Sequence, residues 1–344
     1  MSLESLQKAL TKDGIANADK SEVSLWLSSN YPPLDHVMSG RYVGEQAGFP
    51  VGRIVEIFAE PSAGKTALAT ELMISAQRAG GIAIFMDHER SYDSGLAEKY
   101  GLDITFPRFI YQKPETFEDS VTWVQKLIVK IRDTKAIPDD APIVLVFDSL
   151  ASMVPQSKWD KEAGDQTMND TTALSRATSS HFPALAQRCE KYNVLCLVLN
   201  QLRTKPGVTH GDPAYSPGGD APKFYSSVRL KLTKKKEKDD STGEVKQVIT
   251  INAIKNKVFK PFETCQYDLI FGLDASLRFD KIGGTIDAAK KCGALETAGA
   301  YVVWTDGKKY YKSVLSKKIA AEGLEDELFA LLAGRGLKDA LVDE

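Results

Sequence analysis

The segment that most restricts how this chain folds runs from Ile54 to Gly81. Ile54 to Phe58 is a short β-branched apolar run, and Ala59-Glu60-Pro61-Ser62-Ala63-Gly64-Lys65-Thr66 follows it directly. Thr66 to Ala79 then places Leu68, Leu72, Met73 and Ala76 on one helical stripe, which Gly80-Gly81 ends. Strand, glycine-bearing turn and helix in this order predict a βα unit whose turn suits a polyphosphate. Amides at a helix start point at phosphate oxygens, Gly64 lets the chain approach closely, Lys65 supplies a cation for the outer phosphates, and Thr66 offers a hydroxyl to Mg²⁺. Glu60, Pro61, Ser62 and Ala63 complete the candidate loop. Ala59 departs from the glycine that opens the full pattern, which matters only if that position requires positive φ.

The same texture recurs. Ile82 to Met86, Ile143 to Phe147 and Val194 to Leu199 are short apolar runs separated by helix-length segments, a spacing that predicts a mainly parallel sheet covered on both faces. Beyond Gly219, Val228, Leu230 and Leu232 alternate with Arg229 and Lys231, and Val248 to Ile254 is strand-like across a turn at Ser241-Thr242-Gly243, so an antiparallel extension is expected. The charged run Lys234 to Asp240 then reads as a solvated hairpin tip. After Leu273 come a helical stretch (Thr285 to Cys292), the run Tyr301 to Trp304, a turn at Asp306-Gly307 and a helix around Leu324 to Leu332. Residues 1 to 50 are polar and irregular apart from a short helix at Leu3 to Leu10. Three regions follow: a lead-in arm (1–50), a core (51–272) and a small C-terminal domain (273–344).

Composition narrows the chemistry. A chain of 344 residues with 43% hydrophobic content buries one large α/β core plus smaller additions. A net charge of −2 gives no global basic field, so any contact with nucleic acid must come from locally placed charges and backbone amides. The four cysteines never form CxxC, and Cys196 lies within an apolar run, which points to a reducing compartment and no structural metal. Neither a signal-type N-terminus nor a spanning apolar stretch is present, so a soluble, cytoplasmic protein without membrane partners is expected.

Two strand ends carry carboxylates. Asp148 closes the run Ile143 to Phe147, where a carboxylate beside the phosphate loop can hold Mg²⁺. Asp87 and Glu89 close Phe85 to Glu89, and a carboxylate there can orient and deprotonate an attacking water. Glu89 is the candidate base and Asp87 its rival. Taken alone, Glu89 reads better as a helix cap or surface carboxylate, a preference that the family resemblance given below reverses.

From about Gly52 to Trp304 the order of elements resembles the RecA recombinase family. The most specific stretches are Asn200-Gln201-Leu202-Arg203, then Lys205 and Gly207-Val208, then Gly218 to Leu230. The resemblance implies an α/β fold with a RecA-like P-loop ATPase core, a mainly parallel sheet, a short N-terminal arm used in polymerisation and a small α+β C-terminal domain. It implies ATP and Mg²⁺ at the loop, with Gln201 sensing the γ-phosphate. Arg203, Lys205, Gly207, Val208, Gly218 and Gly219 would form the second DNA-binding loop. Gly164 and Met168 fall in the first, with Met168 as a wedge between bases, and Arg176 at a phosphate-contacting position. Lys255 and Lys257 correspond to lysines that reach the ATP of the neighbouring subunit, although by spacing alone they equally suit a solvated strand edge. Lys223 and Phe224 correspond to an inter-subunit relay, with core packing the alternative for Phe224. The implied partners are single-stranded DNA, homologous duplex DNA and further copies of the chain in a helical filament. The implied activity is DNA-stimulated ATP hydrolysis coupled to strand exchange. Departures are Pro206 at an apolar wedge position, Leu96 where a stacking Tyr is usual (Tyr92 and Tyr100 are nearby), a poorly matching arm, and a tail lacking a long acidic run. A ring-shaped motor with the same core and a mediator that holds ATP only as a structural ligand are the competing readings.

Overall fold

The computed structural model describes residues 3–12, 23–161, 172–204, 214–238, 245–271 and 277–336. One nine-stranded sheet organises them, in the spatial order Leu277–Asp280, Thr264–Phe271, Val245–Asn256, Val228–Lys238, Ile54–Ala59, Val194–Gln201, Ile143–Asp148, Ile82–Asp87 and Phe109–Gln112. Pairing is parallel from Val228–Lys238 through to Phe109–Gln112 and antiparallel beyond it on the other side.

The parallel half follows from its sequence. Every residue of Ile54–Ala59, Ile82–Asp87 and Ile143–Asp148 is buried, as strands covered on both faces require. On one face the helix Lys65–Arg78 buries Leu68, Leu72 and Met73, beside Leu34, Val37 and Met38 of the helix Pro32–Ser39. On the other face Phe117–Asp133 contributes Val121, Val124 and Ile128, and Ala173–Lys191 contributes Phe182 and Leu185. Each such side chain stabilises the fold by roughly 1.5–3 kcal/mol of apolar burial before entropy is counted. The helix Pro32–Ser39 is not foreseen: its prolines stand at the first two helical positions, where the missing N–H is not needed.

The expected antiparallel hairpin is Val228–Lys238 with Val245–Asn256, in which Ile249, Ile251 and Ala253 point inward alternately. The expected turn at Ser241 to Gly243 lies outside the described residues. The C-terminal region has its own core of Ile286, Val302, Trp304, Leu315, Ile319 and Leu328, between the helices Ile282–Lys291, Lys312–Glu322 and Glu325–Ala330 and a three-stranded sheet. Lys312–Glu322 escapes the sequence reading because only Leu315 and Ile319 of it are buried. No helix among the described residues is long and apolar enough to cross a membrane.

Candidate nucleotide-binding active site

Ile54–Ala59 delivers the loop, and the helix Lys65–Arg78 receives it. The turn is made by positive φ at Ser62 (57°) and Gly64 (80°). A Cβ at Gly64 would lie 2.9 Å from the Tyr267 hydroxyl and 3.1 Å from a Leu269 methyl, so glycine is needed for space as well as conformation. Ala59 is the last strand residue, paired with Gln201 and Leu232, so its backbone is extended and the departure from glycine carries no strain.

Lys65 is buried, and its Nζ donates to the Glu60 carbonyl at 3.3 Å. Burial lowers its pKa, and Asp148 and Glu89 oppose that fall, so an arriving polyphosphate would restore the lost stabilisation of the cation. The Thr66 hydroxyl donates to Asp148 Oδ2 at 2.8 Å. Burial, reinforced by Glu89 and Asp87, pushes the Asp148 carboxyl up to about 7 against the Thr66 bond and Lys65. A hydroxyl and a carboxylate so placed in a cleft of about 400 Å³ fit a hard divalent cation.

The two rival carboxylates are separated by their partners. Asp87 accepts from the Arg90 amide (2.7 Å), the Tyr92 amide (3.2 Å) and the Tyr111 hydroxyl (2.8 Å), so it holds the chain after the strand. Glu89 lines the cleft with Lys65, Thr66 and Asp148. Its Oε1 accepts from the Ser149 hydroxyl and from Gln201 Nε2 at 2.8 Å. The geometry thus favours Glu89 as the group facing bound phosphate.

Gln201 belongs to a polar chain that the sequence did not reveal. Its amide donates to Asn200 Oδ1 at 3.0 Å, and Asn200 Nδ2 donates to Glu56 Oε1 (3.0 Å) and to the Pro217 carbonyl (2.9 Å). Fully buried Glu56 pairs with Arg229 at 2.6 Å, and Arg229 reaches the Ser216 hydroxyl at 3.2 Å. The end of the Val194–Gln201 strand is thereby tied to the chain returning at Ser216-Pro217.

The antiparallel hairpin also reaches the loop. Leu232 pairs with Ala59 in a parallel ladder, so Lys234, two residues on, arrives beside Pro61, and its Nζ donates to the Pro61 carbonyl at 2.6 Å. Gln247 Nε2 donates to the Ser62 carbonyl at 2.9 Å. Lys234 is exposed, as the solvated reading expected, and strand register, which composition does not encode, also brings it to the phosphate loop.

Among the expected DNA contacts, Arg203 is exposed and heads a two-residue ladder in which Arg203 pairs with Tyr215. The loop is therefore shorter than its sequence implied, because two-residue strands leave no periodicity. Gly218 and Gly219 have φ of 97° and 74°, and a Cβ on them would meet Leu150 at 2.7 Å and Ser175 at 2.8 Å, so packing alone requires glycine there. Arg176 is exposed in the first turn of Ala173–Lys191 and donates to the Thr172 hydroxyl at 2.9 Å. Gly164, Met168, Lys205, Gly207 and Val208 lie outside the described residues. Lys255 and Lys257 are not at the cleft. Lys255 Nζ donates to the carbonyls of Lys223 and Phe224, and Lys257 Nζ sits 5.5 Å from the Phe224 ring centre. Phe224 itself is 67% exposed, which rules out core packing for it within one subunit.

The chain matches the family described as RecA N-terminal domain over residues 3–276. It is 34% identical to "Protein RecA" of Chloroherpeton thalassium, over 96% of this chain and 87% of that protein. Against the protein of the same name from Wolbachia sp. subsp. Drosophila simulans it is 30% identical, over 99% and 92%. For the one from Cytophaga hutchinsonii the identity is 35%, over 74% and 67%. With a phosphate loop, strand-end carboxylates and a strand-borne glutamine in one cleft, the chain belongs to the RecA family of DNA-dependent ATPases that carry out homologous pairing and strand exchange.

Proposed function

We propose that the nucleotide is ATP, taken up with Mg²⁺, and that its hydrolysis sets the DNA affinity of a helical filament built from copies of this chain. The observation that carries this reading is the 2.8 Å bond between Gln201 and Glu89, because it joins the group facing the phosphates to the strand that leads into Arg203. In this reading the loop residues Glu60 to Thr66 cradle the phosphates and Lys65 neutralises the outer ones. Thr66 and Asp148 hold the metal, which when bound would offset negative charge on the phosphate oxygens. Glu89 orients and deprotonates water, and Gln201 follows the γ-phosphate. Release of Gln201 from Glu89 moves Asn200, and through Pro217 both ends of the segment that carries Arg203, Lys205, Gly207 and Val208. ATP that favours the DNA-binding arrangement is, by linkage, favoured by DNA to the same extent. Recognition through backbone phosphates, with Arg176, Gly164 and Met168 on the first loop, leaves homology to base pairing.

Lys255 and Lys257, set around an exposed Phe224, suit contacts across a subunit boundary and complete the neighbour's site in this reading. Two variants test it. Lys65→Ala is expected to abolish hydrolysis, and Arg203→Ala to weaken single-stranded DNA binding equally for unrelated sequences while lowering its salt slope by about 1. Normal hydrolysis and binding by these variants would remove the proposal.

A further inference from the structure

Two carbonyls of the phosphate loop are held from behind by the antiparallel hairpin. Lys234 Nζ donates to the Pro61 carbonyl at 2.6 Å, and Gln247 Nε2 to the Ser62 carbonyl at 2.9 Å. Lys234 pairs with Ile249 and Lys236 with Gln247, so both donors leave the same stretch of hairpin. Ile249 from that stretch, with Tyr267 and Leu269, also lies within 4 Å of the place a Cβ on Gly64 would take. The hairpin and the strand beside it are thus the floor on which the loop rests.

A peptide unit is planar, and in its trans form the C=O and the N–H point opposite ways. Both Pro61-Ser62 and Ser62-Ala63 are trans. A Pro61 carbonyl held on the hairpin side therefore turns the Ser62 amide away from the hairpin, and the Ser62 carbonyl does the same for the Ala63 amide. Both residues line the phosphate cleft, and no backbone carbonyl among the described residues accepts from either amide. The preceding unit is reversed: the Glu60 carbonyl accepts from Lys65, which sacrifices no donor because Pro61 has no N–H. Ser62, at φ 57°, stands between the two held carbonyls, and a non-glycine residue in that conformation persists only where its surroundings fix it.

We propose that Gln247 and Lys234 are positioning residues for the nucleotide: by holding the Ser62 and Pro61 carbonyls on the hairpin side, they keep the Ala63 and Ser62 amides aimed at the phosphates before a ligand arrives. Donors set in advance bind without the cost of reorienting the loop. The assignment rests on the reading of this loop as a polyphosphate cradle and adds to it what shapes the cradle. Lys234 is also a charge felt inside the site, since burial and after it Lys234 lower the Lys65 pKa against Asp148 and Glu89. Neutral Gln247 is therefore the sharper probe of positioning.

Isothermal titration of the full chain with Mg-tripolyphosphate and, separately, with Mg-ATP tests it, comparing the unaltered protein with Gln247→Met, which keeps the length and loses the donor. The expected result is binding weakened about 3–10-fold for both ligands alike, the loss of one neutral hydrogen bond. In DNA-stimulated hydrolysis KM should rise by the same factor with kcat unchanged, because the two amides hold the phosphates equally in the ground state and the transition state. A smaller folded fraction would lower kcat and leave KM in place, so this split separates positioning from damage to the fold. Lys234→Met should weaken both ligands about 3-fold and Lys234→Arg restore them. Lys234 is exposed, so this second pair decides the matter where Gln247→Met folds poorly. Unchanged affinity of Gln247→Met for both ligands overturns the proposal, and so does a fall in kcat at constant KM. If the unaltered protein binds neither ligand, the cradle reading falls first and the positioning roles with it.

Discussion

Glu89 and Asp87 stand two residues apart at one strand end, yet their surroundings assign them different work. Asp87 is committed to two amides and a phenol, so Asp87→Asn is expected to cost about 1–3 kcal/mol, read as a lower urea midpoint, while leaving ATP binding in place. Glu89→Gln should do the reverse: normal stability and nucleotide binding, with DNA-stimulated turnover down by about 10²–10⁴. Lys255 offers a pH test. Burial, then the neighbouring Lys257 and Arg229, lowers its pKa to about 8, so it is charged below that pH and neutral above it. A role as a cation in the neighbour's site predicts that DNA-dependent hydrolysis falls as pH rises through about 8, and that Lys255→Arg moves this limb to higher pH. An unshifted limb would assign the titration to another group.

At the scale of elements, the sheet gives each site residue its address through register. Arg229 pairs with Glu56 across the ladder, and this cross-strand contact places a buried ion pair between the nucleotide cleft and the returning DNA-loop segment. Removing one partner leaves the other uncompensated. Glu56→Gln is thus expected to destabilise the fold by about 3–5 kcal/mol and Glu56→Gln with Arg229→Gln by less, a difference that denaturant titration resolves. The strands buried on both faces were legible in the sequence, because unbroken β-branched runs have no other stable home, and they brought Asp148, Glu89 and Gln201 with them to the carboxyl edge. Phe109–Gln112 was not foreseen: it is four residues long, Tyr111 is only half-buried and Gln112 is exposed, so the apolar run that marks it is very short. Glu56, Asn200, Arg229, Lys234 and Gln247 were missed for a related reason. Their partners are remote in sequence, and only the pairing of strands brings them together.

For the molecule as a whole, a net charge of −2 means that DNA affinity must rest on a few local cations and amides. Arg203 and Arg176 are exposed on the described surface, and their loss should be felt as a change in salt dependence more than in sequence preference. Phe224 is 67% exposed with the Lys257 ammonium over its ring, an apolar side chain that the proposed filament would cover. The central claim is that one cleft couples ATP hydrolysis to DNA held by many subunits. It is tested most directly by phosphate release from ATP with and without single-stranded DNA, with electron microscopy of the same samples. Hydrolysis that rises with DNA, together with helical filaments, is the predicted result. Hydrolysis indifferent to DNA, or closed rings in place of filaments, would contradict it.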